Sequence, residues 1–172
     1  MQTGSIILNQ WEEQSLGGVW GLSDDMQNSD FVSEHSGILE GSYAIGPLAG
    51  GKKYEEFANK YESRADEGPR AFTAEAYDAA LIAALASEAA ASTNPSDLAS
   101  RIVDVSKGGE AVGSYQAGVD ALGNDTEINY EGASGPVDFT DKGNIRSPFA
   151  VFQGNGGSWE QINQINPDQL EF

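Results

Sequence analysis

The residue types that carry most enzymatic chemistry are nearly missing from this 172-residue chain, which has one histidine, His35, and no cysteine. Thiolate nucleophiles, thiolate metal sites and disulfides are therefore excluded. A Ser-His-acid triad would have to use His35, yet no G-x-S-x-G elbow is present. Gly132-Ala133-Ser134-Gly135-Pro136 spaces its glycines wrongly for one. His35 reads instead as a surface residue near a helix end. No Walker motif or dinucleotide fingerprint appears. Asp138, Asp141 and Asn144 are spaced by three, whereas a calcium loop alternates its oxygen ligands and closes on a glutamate. They read as a turn. No metal, cofactor or catalytic residue is expected. Asn124-Asp125-Thr126 is a glycosylation sequon, a weak sign of export. The remaining chemical feature is Ser23-Asp24-Asp25, a polar loop after a short apolar run. Adjacent carboxylates usually point apart. They could form a metal or general-base pair, but the plainer reading is a solvated loop.

Helices and short strands must position these groups. Residues 5–16 read as a helix with Ile7, Leu8, Trp11 and Leu16 on one face, stopped by Gly17-Gly18. Val19 to Leu22 reads as a buried strand. Ser29 reads as the N-cap of a brief helix through His35 that Gly37 ends. Leu39 to Ile45 reads as a second strand, closed by Gly46-Pro47 and Gly50-Gly51. Tyr54, Phe57, Ala58 and Tyr61 mark Lys52 to Arg64 as an amphipathic helix. Thr73 to Ala91 is the strongest helical segment, alanine-rich with a stripe through Tyr77, Leu81 and Leu85. Asn94-Pro95 supplies a cap and a first-turn proline for the next helix. Tyr115 to Leu122 reads as one more. Val137 to Thr140 then alternates, Asp141 to Asn144 supplies turn residues, and Phe149 to Phe152 returns, which reads as a β-hairpin. The tail beyond Gly157 is polar apart from Trp159 and Ile162.

With 9 basic and 27 acidic residues the net charge is −18. Nucleic acid is excluded as a partner, because phosphate backbones need clustered Lys and Arg. The acids are scattered over an otherwise globular composition, so they form an acidic surface rather than a disordered tail. Such a surface suits either an ordinary acidic protein or one from a salt-loving organism, where salt screens the self-repulsion. The scarcity of Lys favours the second. The N-terminal residues show no basic and apolar export segment. No apolar run approaches the ~18 residues of a spanning helix.

Several stretches, in order, resemble type I periplasmic binding proteins of the leucine/isoleucine/valine class. Gly68-Pro69 followed by Phe72-Thr73-Ala74-Glu75-Ala76-Tyr77-Asp78-Ala79 is similar to that family's "AYDA" helix. Tyr130-Glu131-Gly132-Ala133-Ser134-Gly135, with Phe139 and Asp141-Lys142-Gly143-Asn144, resembles its glycine signature. Phe149 to Phe152 matches the closing strand, and Leu39-Glu40-Gly41-Ser42-Tyr43 resembles the strand leading to the hinge.

The resemblance implies an α/β fold of two lobes that close on a small ligand, of which this chain would be the C-terminal portion, haloarchaeal in composition. Residues 1–47 would then belong to lobe two, 48–130 to the helices of lobe one, and 131–172 to a C-terminal hairpin returning to lobe two. The implied function is substrate binding for an ABC uptake system for branched-chain or related amino acids, with an ABC permease as partner and an extracellular, cell-surface location. An amino-acid or amide sensing module of a regulatory protein is the alternative. In the family an acidic side chain on a lobe-two loop meets the ligand's ammonium. The matching loop here is Ser23-Asp24-Asp25, with Asp24 leading and Asp25 second. Helix faces left uncovered in such a portion invite a homodimer.

Overall fold

The computed structural model describes residues 2–50, 52–166 and 169. Gly51, part of the expected loop after the second strand, and most of 167–172, the end of the expected C-terminal segment, lie outside them. The chain divides into two compact units, one made of residues 1–48 and 148–172, the other of 49–147. The return to the first unit comes at Pro148 rather than at residue 131.

The first unit is built from both ends of the chain. Helix α1 (Gln2–Glu13) buries Gly4 and Leu8. Its expected face is rotated, since Ile6 and Ile7 remain exposed. The helix also stops earlier than its Gly-Gly signal, at a turn where Ser15 takes φ 54°. Strand β1 (Gly21–Leu22) leads to a single 3-10 turn (Asp24–Met26), then α2 (Ser29–Glu34) and α3 (Ser36–Leu39). Asn28, not Ser29, caps α2, its side-chain oxygen accepting from the N–H groups of Asp30 and Phe31 at 2.9 and 3.0 Å. His35 is buried rather than on the surface. Its Nε2 lies 2.9 Å from the Ser5 hydroxyl and its ring meets Phe31 edge-on, which ties α2 to α1. Phe31, Val32 and Leu39 complete this core with Leu8.

Strands β2 (Tyr43–Pro47), β5 (Phe149–Asn155) and β6 (Ser158–Ile165) join β1 in a sheet of order β1-β2-β5-β6; β3 and β4 belong to the second unit. The β1-β2 pair is parallel and the other two pairs are antiparallel. The expected hairpin is therefore displaced by one strand. Its turn is Gly156-Gly157, both at positive φ, the geometry of a type I′ connection. The signal was Asn155-Gly156-Gly157. It was obscured because β6 is polar along both faces, as an edge strand can be.

The second unit holds α4 (Lys52–Ala65), α5 (Thr73–Ala90), α6 (Pro95–Ser106), β3 (Glu110–Val112), α7 (Tyr115–Leu122) and β4 (Ile128–Tyr130). All four helices lie where the sequence places them, and Asn94 caps α6 through the N–H of Ser96 at 3.0 Å. The parallel pair β3-β4 is an addition. Strands of three residues carry too little pattern to read. Ile82, Leu85, Val105, Val112, Ile128, Tyr130 and Val137 form the core. The expected strand 137–140 contributes there instead of to a hairpin: Val137 is buried, Phe139 packs against the cluster, and the Phe139 N–H donates to Ser106 Oγ at 3.3 Å.

One carboxylate organises this unit. The buried face of α5 runs through Ala74, Asp78, Ile82, Leu85 and Ala86, which leaves Tyr77 45 % exposed and puts Asp78, at 1 %, in the interior. Asp78 Oδ1 accepts from the Tyr130 hydroxyl and the Ala133 N–H, each at 2.8 Å. Its Oδ2 accepts from the Ser134 N–H at 2.7 Å and the Ser134 hydroxyl at 2.6 Å. Charge-assisted bonds of this length are the strong ones, and they offset the cost of burying the charge. Gly132 is required beside them, because a Cβ there would run into the Asp78 carboxylate. The tyrosine helix and the glycine signature thus meet at one side chain.

Asp78→Ala should destabilise the second unit by about 3–5 kcal/mol, because two buried and two half-buried donors lose their acceptor; urea unfolding measures it. Burial, then the adjacent Asp78 charge and hydrogen bond, hold the Tyr130 phenol well above its ordinary range. A tyrosine in the unfolded chain ionises near pH 10 (about 10). The contribution of neutral Tyr130 is therefore intact below that pH and declines as pH rises above it. Stability measured across alkaline pH should fall more steeply for the native chain than for Tyr130→Phe.

Candidate ligand-binding site

In a parallel pair both strands point their carboxyl ends the same way, and ligands of α/β sheets bind outside those ends. β1 and β2 pair Gly21 with Tyr43 and Leu22 with Ala44. The pair is anchored at its start by the Trp20 N–H, which donates to the buried Ser42 hydroxyl at 3.0 Å, and by the Tyr43 N–H, which donates to the Trp20 carbonyl at 2.8 Å. Its carboxyl end runs directly into Ser23 and the 3-10 turn, so the three residues expected to meet a ligand stand at this edge.

The turn sorts them. Ser23 is extended and exposed, its carbonyl accepts from the Met26 N–H at 3.1 Å, and its side chain makes no capping bond. Three residues per turn put positions i and i+3 on one side. Asp24 and Gln27 therefore face strand β2, whereas Asp25 is turned to solvent. Asp24 is half-buried, with its Cβ 3.6 Å from where a side chain on Gly46 would begin. Neither carboxylate has a hydrogen bond or ion pair among the described residues. The arrangement offers a half-buried, unneutralised carboxylate facing strand β2, suited to an N–H-bearing cation.

The other chemical candidates do not converge on it. His35 is enclosed with Ser5, and no carboxylate is hydrogen-bonded to its ring; Glu34 stands 4.0 Å from the same Nε2. Asp141 forms a surface pair with Lys107 at 3.0 Å. No three His, Asp or Glu side chains gather as a metal would require among the described residues. No described helix is long and apolar enough to cross a membrane.

Two features escaped the sequence. One is Gln27, which has no motif around it. The other is Phe72, at the head of α5 in the second unit, which holds a left-handed φ of 66° and is 38 % exposed. A bulky residue in that region is a backbone outlier of the kind that gathers at functional sites.

No family model matches the sequence, and no curated protein is similar to it in sequence. Solved structures do match its fold. A leucine binding protein, LivK, from Thermotoga maritima superposes with a TM-score of 0.68 at 21% identity, over 95% of this chain and 42% of its own. The branched-chain amino acid transporter substrate binding protein LivJ from Streptococcus pneumoniae, solved with isoleucine, gives 0.65 at 18% identity, over 94% of this chain and 41% of its own. Both are binding proteins rather than enzymes. The chain therefore shares the α/β fold of part of these two solved proteins, and spans about two fifths of their length.

Proposed function

We propose that this chain is part of a substrate-binding protein that delivers a branched-chain or related amino acid to an ABC permease at the cell surface. The observation that carries the reading is the unpaired Asp24 carboxylate at the carboxyl end of the β1-β2 pair, in a fold shared with LivK and LivJ. In this role Asp24 accepts hydrogen bonds from the ligand's ammonium. Desolvation by the bound ligand strengthens that contact, since a charge pair away from water is screened less. Ser23 and Asp25 flank it, Asp25 being the second choice because it faces solvent.

The chain spans 42% of the LivK length. Small-ligand affinity comes mostly from enclosure in a cleft, so the chain alone should bind leucine only in about the millimolar range. A thermal-shift response to leucine at micromolar concentration would contradict this. Asp24→Ala should weaken leucine binding about tenfold or more, and Asp25→Ala much less. Equal affinity of wild type and both variants, read from amide shifts in a leucine titration, would remove the assignment.

A further inference from the structure

Gln27 is half-buried, and its side-chain amide has no hydrogen-bond partner among the described residues. It lies flat on strand β2 at Gly46: a Cβ on that glycine would collide with Gln27 Oε1, and would stand 3.3 Å from the amide carbon and 3.6 Å from Asp24 Cβ. Gly46 is thus the bare stretch of strand that lets two side chains, one turn apart, seat next to each other. Its backbone is held in place from the other side by pairing with Ala150. An unused carboxylate and an unused amide, both on side chains that approach Gly46 of strand β2, make a pair of acceptors with no cation of their own. Lys and Arg are absent from residues 1–51, so no basic side chain on this part of the chain competes for them.

Resting on the reading of Asp24 given above, we infer that Gln27 is a second ligand contact: its carbonyl oxygen accepts an N–H of the same ammonium that Asp24 holds, and the pair selects a primary ammonium over a fully substituted one. Asp24 supplies charge and Gln27 supplies direction, because an N–H···O=C hydrogen bond adds an angular preference that a cation without N–H groups cannot meet. Gly46 is a positioning residue for both.

The test uses amide shifts of the chain with two probes, leucine and N,N,N-trimethyl-leucine, which keeps the positive charge but has no N–H to donate. Gln27→Met retains the length of the side chain and removes its carbonyl. It should weaken leucine about tenfold or more, the worth of one hydrogen bond from a charged donor, and weaken the trimethyl compound much less. Equal leucine affinity in Gln27→Met, or equal weakening of both compounds, would overturn the inference, the second outcome marking a merely structural side chain. If Asp24→Ala weakens leucine while Gln27→Met does not, the Gln27 contact fails alone. If neither variant matters, or leucine up to about 100 mM moves no amide between residues 23 and 28, the Asp24 reading fails with it.

Discussion

A single buried carboxylate does most to shape the second unit. Asp78 sits among Ile82, Leu85 and Ala86 on the inner face of α5, where a charge without partners would cost several kcal/mol (roughly). It is tolerated because one segment, Tyr130 to Ser134, brings it four donors. Each of those donors is fixed by something else. Tyr130 ends β4 and is itself in the core, while the Ala133 and Ser134 N–H groups lie on a loop narrowed by Gly132 and Gly135. The helix, the strand and the glycine loop therefore form together, and the loop's residues are set by what can approach a carboxylate.

The first unit obeys a different constraint, that of strand register. Its sheet draws β1 and β2 from the start of the chain and β5 and β6 from the end, so the β2-β5 ladder, Tyr43 with Gln153 through Pro47 with Phe149, joins the two. Ala44, Gly46, Ala150 and Gly154 are small and buried along it, which lets α3 and the 3-10 turn lie close to the strands. The register also fixes the candidate site. Pairing Leu22 with Ala44 brings the following turn alongside Gly46, and the three-residue period of that turn points Asp24, rather than Asp25, toward β2. On the opposite face Tyr43, Ile45 and Phe149 remain exposed.

Much of the second unit was legible. Tyr54, Phe57 and Tyr61 recur at helical spacing, Asn94-Pro95 is an unambiguous helix start, and Gly123 follows α7 as expected. The stripe on α5 holds at Leu81 and Leu85 but fails at Tyr77 for a physical reason: sequence reasoning puts an aspartate outside and a tyrosine inside, and Asp78 and Tyr77 do the reverse. Nothing near Asp78 in the sequence reveals its donors, which lie 52 to 56 residues away. The hairpin was misplaced because Val137 to Thr140 alternates like a strand, while β6, the real partner of Phe149, has almost no apolar pattern. Val137 and Phe139 are apolar because they enter the core, not because they pair with a neighbouring strand.

The sequence by itself determined the acidic composition, the single histidine and lack of cysteine, the helices of the second unit and the polar loop at Ser23-Asp24-Asp25. These follow from composition, side-chain period and capping residues, all of which act over a few neighbouring positions. Only the tertiary structure decided that Asp78 is interior, that His35 is enclosed with Ser5, that β5 pairs with β6, and that Asp24 and Gln27 share the space over Gly46. Each of these depends on which distant backbone or donor comes within a few ångströms, and the free energy of burying a polar group is set by that partner rather than by the group's own type.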